Sequence, residues 1–315
     1  MKEYHADPSS FEQTLRLLDE LPASEDVTIH MAGGIYRGPI EIHKHYLTLI
    51  GPEDCSAIFS GDLAGAVILD DGERRGTFRS QTVFVDADHF KACNITFANE
   101  AGPGEIAAQA LALYSDGDDL TYDHCRFLGF QDTLFTAPLP PQELQSGGFR
   151  GPKEFSPRRS GRQAYHHCYI EGTVDFIFGG GVCYFKDCDI FSRHRPEHKV
   201  GYVTAASTPE KQAYGYVFDS CRFIGDAEPG SVYLGRPWRD YAHVVVMNSY
   251  LSAVIHPDHW HDWNKPQAHD TIKYFEYNNS GPGARTDIKW ARFLTREEAV
   301  RYTEDVVLRD VPMTF

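Results

Sequence analysis

The run from His166 to Ser192, HHCYIEGTVDFIFGGGVCYFKDCDIFS, contains one short pattern twice. HHCYIEG opens it and KDCDIFS closes it, and Cys168 and Cys188 lie 188 − 168 = 20 residues apart. Two residues after each cysteine comes a large apolar residue, Ile170 or Ile190, the period-2 mark of the inward face of a strand. Further out, DHCRFLG around Cys125, DSCRFIG around Cys221 and KACNITF around Cys93 repeat the pattern, and MNSYLS offers a sixth copy with Ser249 in the cysteine place. Successive spacings are 32, 43, 20, 33 and 28 residues. The shortest is close to one turn of a parallel β-solenoid, and the longer ones read as turns carrying loop insertions. Small recurring units that cannot bury a core alone are the signature of stacked repeats. Five unrelated strands that happen to hold cysteine would leave the matching flanks unexplained. On the repeat reading the thiols form a buried, inert, structural stack.

The bulk properties agree. Of 315 residues, 42% are apolar and 24% charged, a folded globular profile. Thirty Lys+Arg against 45 Asp+Glu give a net charge of −15, which argues against nucleic acid as a partner. No apolar run approaches the roughly 18 residues of a membrane span, so no membrane partner is expected; separately, the chain is expected to be a monomer. Seven cysteines without a C-x-x-C pair suggest neither a disulfide framework nor a zinc ribbon. The N-terminus MKEYHADPSSFEQTL lacks the apolar stretch of a signal peptide. The expectation is a cytoplasmic location, or an extracellular one should Met1 not be the native start. Length alone suggests two domains; the repeat favours one all-β solenoid over residues 1–315, with long loops on one side. Residues 10–21 read as a capping helix, with Ser10 and Gln13 as a capping box and Phe11, Leu15 and Leu18 on one face. A second short helix is expected from Thr295, with Glu298 at the capping-box position.

Past the cysteines a second equivalence emerges. Asp132 lies 132 − 125 = 7 residues after Cys125, and Asp175 lies 175 − 168 = 7 after Cys168. In-register coils would place the two carboxylates on neighbouring strands about 4.8 Å apart. The corresponding positions after Cys93, Cys188 and Cys221 hold Glu100, Arg195 and Glu228, so aspartate is not simply what the repeat prefers. Two like charges that close cannot both ionise cheaply: one pKa should rise while the other stays low. Such a pair supplies one acid and one carboxylate. The plainer alternative is two turn-capping aspartates facing water. Other chemistries find little support, since G-x-S-x-G, H-E-x-x-H and a Walker A loop are all absent. His256-Pro-Asp-His259-Trp-His261 has metal-like density but no i, i+4 histidine pair, and GGIYRG lacks the dinucleotide spacing.

The segments carrying these aspartates resemble pectin methylesterases. AGP followed by QALAL (Gln109), GFQDTLF (Gln131, Asp132), YIEGTVDFIFG (Asp175) and YLGRPW (Arg236, Trp238) occur in family order, and the resemblance runs from about Ala32 to Ser280. It implies a single right-handed parallel β-helix that cleaves C6 methyl esters of homogalacturonan without cofactor or metal. It also implies Asp175 as nucleophile, Asp132 as acid and then base, Gln109 and Gln131 as oxyanion donors, and Arg236 as the cation holding Asp175 ionised. Trp238 is the candidate sugar platform, with Phe178 and Val174 as lesser contributors to substrate binding. The expected partner is pectin or a methylated oligogalacturonide. One difficulty is geometric: Gln131 and Asp132 are neighbours, and on a regular strand they would face opposite ways. Both can face one site only at a bend or bulge.

The chain departs from the family in three places. Gly38 stands where the family usually has Glu, and Gly180 where it often has Asn. Residues 136–163 form an insertion with five prolines and five basic residues, Arg150, Lys153, Arg158, Arg159 and Arg162, against two acidic ones. The expectation is that this loop borders the cleft and pairs with galacturonate carboxylates; a solvated surface loop is the alternative. Rival functions are a polygalacturonan glycoside hydrolase, a non-catalytic carbohydrate-binding solenoid, and an esterase or thioesterase for another acyl group.

Overall fold

Residues 1–196 and 199–309 are described by a computed structural model in which the chain winds as a right-handed parallel β-helix. Three parallel sheets form its walls. One has eleven strands, from Lys2–Ala6 to Arg292–Phe293; a second has eight, from Gly34–Arg37 to Tyr250–Leu251; the third has seven, from Ile40–Ile42 to Val232–Pro237. Because the coils are in register, like side chains stack along the axis. Tyr122, Tyr165, Phe185 and Phe218 are register partners on successive strands, with ring centroids 4.9, 4.6 and 4.4 Å apart. Phe59, Phe97 and Phe127 make a second column at 5.5 and 5.3 Å. Each buried ring contributes about 1.5–3 kcal/mol through its area and each ring pair about 0.5–1.5 kcal/mol more, so these columns are a large part of the core.

The corner between the eleven- and eight-stranded sheets explains the cysteine repeat. Asn94, His124, His167, Asp187, Ser220, Asn248 and Asn278 all turn there with φ between 51° and 57°. Short polar side chains tolerate that left-handed conformation best, and most of this row is of that kind. Immediately after the corner come Cys125, Cys168, Cys188 and Cys221, all buried. Each thiol donates to a carbonyl of the preceding coil, that of Ala92, Tyr122, Tyr165 or Phe185, at 3.3–3.4 Å. Ser249 continues the column, fully buried, with its Oγ accepting from the Cys221 amide at 3.1 Å. Cys93 does not belong to it. Cys93 pairs with Asp123, one residue before the corner, and Ile95 fills the column position. Matching cysteine to cysteine slips that coil by two residues, and Cys93 is correspondingly only half-buried.

Both caps form, with one change. The first helix is Phe11–Leu18, shorter than the expected 10–21, and its Phe11 ring closes the core against Tyr36 and Phe59 at 5.2 and 5.4 Å. Ser10 makes no side-chain cap on that helix. Asp7 organises the entry instead: its Oδ1 accepts from the amides of Ser9 and Ser10, and the Ser10 hydroxyl accepts from the Asp7 amide. The helix Arg296–Ala299 carries the expected capping box of Thr295 and Glu298.

The seven-stranded sheet is apolar on its outer face as well. Phe84, Tyr114, Phe135, Phe178 and Ala205 cluster there, covered by Phe78 and by Leu139 and Phe149 of the insertion. The insertion's cations turn toward the solenoid. Arg150 pairs with Glu73 at 3.0 Å, Lys153 with Asp86 at 2.6 Å and Asp116 at 3.6 Å, Arg159 with Asp88, and Arg162 with Asp118 at 2.6 Å. Arg158 donates to the carbonyls of Pro140, Lys153, Glu154 and Ser156. The expected pairing of these five residues with substrate is therefore replaced: Lys153, Arg159 and Arg162 clasp acidic rungs of the β-helix, Arg150 pairs with Glu73 of a loop, and Arg158 ties the insertion to itself.

Candidate active site

The outer face of the seven-stranded sheet carries a cleft of about 420 Å³ lined by Gln109, Gln131, Asp132, Asp175, Phe178, Arg236 and Trp238 among others. Seven of the eight residues singled out in the sequence thus meet in one place. The exception is Val174, which is 7% exposed, pairs with Tyr202 and Gln131 in the ladder, and is not part of the cleft lining.

Backbone irregularity brings the acids together. Gln131 bridges Val174, so Asp132 and Asp175 are the next residues on adjacent rungs. Both have left-handed φ, 60° and 49°, and the strand Val174–Gly179 carries one extra residue between Val174 and Ile177 relative to its neighbour. These bends break the strict alternation, and Gln131 and Asp132 both reach the cleft, as the sequence required. Gly172 makes room for the bend: a Cβ there would meet Phe176 Cβ at 2.2 Å and the Phe130 carbonyl at 2.6 Å.

Both aspartates are buried, each residue 7% exposed. Burial and the neighbouring Asp175 charge push the Asp132 carboxyl well above the usual range, against a weaker downward pull from Arg236. Asp175 is raised too, by burial, while Arg236 draws it back down. The expectation that one carboxyl stays low is not met: both are raised, Asp132 well above its ordinary value, while Asp175 alone has the two Arg236 bonds that oppose its rise. The Arg236 guanidinium grips Asp175 through two bonds, Nε to Oδ1 at 2.8 Å and Nη2 to Oδ2 at 2.6 Å. That fork is the strong geometry for an arginine–carboxylate pair.

Several contributors had no sequence motif. The Arg236 guanidinium lies over the Tyr202 ring at 3.9 Å and the Trp263 ring at 3.7 Å. Lys265 lies over Trp263 at 4.9 Å and donates to the carbonyls of Pro237 and Trp238. Trp238, half-buried, meets Phe178 edge-on at 5.7 Å and leaves part of its surface to the cleft. Trp263 sits just beyond the histidine-rich stretch; an aromatic in so polar a loop was its only signal. Those histidines are not arranged around a metal. His259 is fully buried between Glu276 Oε1 at 2.9 Å and the Gly283 carbonyl at 2.8 Å, while His256 and His261 pack on Tyr233. Among the described residues, a group with ligand atoms close together is Asp123, His124 and His167. Its imidazoles stack at 4.6 Å and both approach one Asp123 oxygen, which makes it a hydrogen-bonded surface ladder at the solenoid corner.

A parallel β-helix carrying a cleft with two neighbouring buried aspartates, one of them clamped by arginine among aromatic rings, has the make-up of a hydrolase site, and similarity to known proteins narrows the class. The family model described as Pectinesterase matches residues 7–139 and 157–310, and the chain belongs to that family. It is 35% identical over 276 residues to Pectinesterase 2 of Arabidopsis thaliana, a match covering 83% of this chain and 41% of that protein. With Pectinesterase 31 of the same plant it shares 31% identity over 293 residues, covering 90% of this chain and 83% of the other. A solved pectin methylesterase in complex with a hexasaccharide superposes with a TM-score of 0.76 at 27% identity, covering 99% of this chain and 98% of that one. The chain thus spans less than half of Pectinesterase 2 but nearly all of the solved enzyme.

Proposed function

We propose that this chain hydrolyses C6 methyl esters of galacturonate units in pectin or methylated oligogalacturonides, releasing methanol. One observation carries the reading: a buried Asp175 gripped by Arg236, one rung from an Asp132 whose pKa burial and the Asp175 charge push up. An Asp175 oxygen attacks the ester carbonyl carbon, and the Gln109 and Gln131 side-chain amides donate to the oxyanion that forms. The C–OCH3 bond breaks, the leaving oxygen takes the Asp132 proton, and a mixed anhydride joins Asp175 to the sugar. Asp132, now a carboxylate, removes a proton from water as the water attacks the anhydride. The sugar leaves as its carboxylic acid and loses that proton to bulk water as galacturonate, Asp175 returns as a carboxylate and Asp132 is protonated again. Neutral amides suit the oxyanion role because they do not neutralise the nucleophile. Trp238 offers an apolar face to a sugar ring, and a solved relative in complex with a hexasaccharide supports a carbohydrate substrate.

Methanol release from methylated pectin, compared between wild type and Asp175→Asn, tests the proposal. Turnover in wild type with loss of about 10³-fold or more in the variant is expected. New reducing ends without methanol would make the chain a glycoside hydrolase instead. Full activity in Asp175→Asn would remove the nucleophile from the scheme.

A further inference from the structure

The cations around the cleft already have partners. Arg236 is committed to Asp175. Arg239 donates to the carbonyls of Trp238 and Gln142, and Lys265 to those of Pro237 and Trp238. All five basic residues of the insertion are bound to carboxylates or to backbone carbonyls, and none is among the residues lining the cleft. The insertion nevertheless forms one side of the cleft, through Glu143, Leu144, Gln145, Gly148 and Phe149. Its contribution there is one carboxylate, one amide and hydrocarbon.

This tip is held at both ends. The Gln142 carbonyl accepts from Arg239 at 3.1 Å, on the loop that follows strand Val232–Pro237. Phe149 is 5% exposed, 6.0 Å from Phe78 and 6.3 Å from Trp238. Between those anchors, Glu143 accepts from the Gly147 amide at 3.1 Å, which fixes its turn, and Leu144 stands 72% exposed. The tip lies within residues 140–156, which the family model does not match.

We propose that the tip is a specificity wall: Glu143 and Leu144 favour methyl-esterified galacturonate beside the reacting unit and disfavour units already demethylated. The inference rests on the esterase reading above and goes further by naming which substrate the site prefers. A free galacturonate carboxylate entering beside Glu143 meets a like charge, and the cations lining the cleft are already hydrogen-bonded elsewhere, Arg236 to Asp175 and Arg239 and Lys265 to backbone carbonyls. An ester at the same position is neutral, and its methyl group gains contact with Leu144. In a partly desolvated cleft such like-charge contact discriminates by about 10-fold or more, and it weakens as salt shortens the screening length.

The test compares kcat/KM for methanol release from fully methylated and from half-demethylated oligogalacturonides, at low salt and at about 0.5 M salt. Wild type should favour the fully methylated oligomer by about 10-fold at low salt and by less at high salt. Glu143→Gln should narrow the ratio several-fold, and Glu143→Lys should reverse it. Leu144→Ala should lower kcat/KM chiefly for the fully methylated oligomer. Glu143 and Leu144 are exposed, and matching thermal melts would confirm that the variants fold. A ratio unchanged by Glu143→Gln and Glu143→Lys, with methanol release intact, overturns the wall and leaves the esterase reading standing. No methanol from either oligomer in wild type overturns both.

Discussion

Replacing Arg236 by Gln isolates the interaction on which the site depends. The guanidinium makes two charge-assisted bonds to Asp175, with the side chains only 16% and 9% exposed. Removing one partner of a buried pair typically costs about 3–5 kcal/mol, mostly because the other charge is left without compensation. Asp175 has an escape: burial already pushes its pKa up, and without Arg236 it rises further, so the carboxyl can take up a proton. The sign follows from linkage. With the folded pKa above the unfolded one, the folded state binds more protons, and stability falls as pH rises from the unfolded value through the folded one. Arg236→Gln should therefore cost about 3 kcal/mol at pH 8 and distinctly less at pH 5. Adding Asp175→Asn should restore most of the loss at pH 8, because no buried charge is then unpaired. Urea unfolding of wild type, both single variants and the double variant at the two pH values measures this, with methanol release abolished in every variant. A deficit below about 1 kcal/mol at pH 8, or one equal at both pH values, would refute the account of a buried, clamped anion.

Other consequences are as direct. His243 is 2% exposed, neither ring nitrogen has a partner, and burial depresses its pKa to about 3. The unfolded chain takes up that proton near the ordinary histidine value of about 6.5, so stability should fall by up to about 1.4 kcal/mol per pH unit below it. His243→Phe should flatten that part of an unfolding-versus-pH curve. In a thiol titration with an aromatic disulfide, Cys55 and Cys93 should react in the native protein, while Cys125, Cys168, Cys183, Cys188 and Cys221 should wait for denaturant. A Cβ at Gly104 would meet Gln131 Oε1 at 2.5 Å and its Cβ at 2.9 Å. Gly104→Ala should thus displace that amide and lower kcat by about 10²-fold with little change in KM or melting temperature.

The sequence displayed the solenoid because its interior repeats in composition as well as in period: four buried thiols occupy one column. It misled at Cys93, where register is decided by the left-handed corner at Asn94, a backbone property that a shared cysteine does not report. The site was legible where residues of one rung sit together in sequence, as with Gln131 and Asp132 or Arg236 and Trp238. Tyr202 and the Trp263–Lys265 loop come from two further segments; Tyr202 and Trp263 share one object, the Arg236 guanidinium, and Lys265 joins them through the Trp263 ring, contacts that exist only once the coils stack. The insertion's charge was visible, but its direction was not. The acids it grips, Asp86, Asp88, Asp116 and Asp118, become a surface only when separate coils lie side by side.

The clasped insertion also bears on how such a chain changes over evolutionary time. It leaves the β-helix after strand Leu134–Thr136 and re-enters at Arg162–His166, so each flanking rung keeps its pairing however long the excursion. Doubling a flexible loop adds only about 0.6 kcal/mol of closure entropy. Rungs that already carry outward carboxylates supply anchors for any arginine or lysine the excursion acquires. Cleft walls on this scaffold can therefore be lengthened, exchanged or recharged while the two aspartates stay where they are.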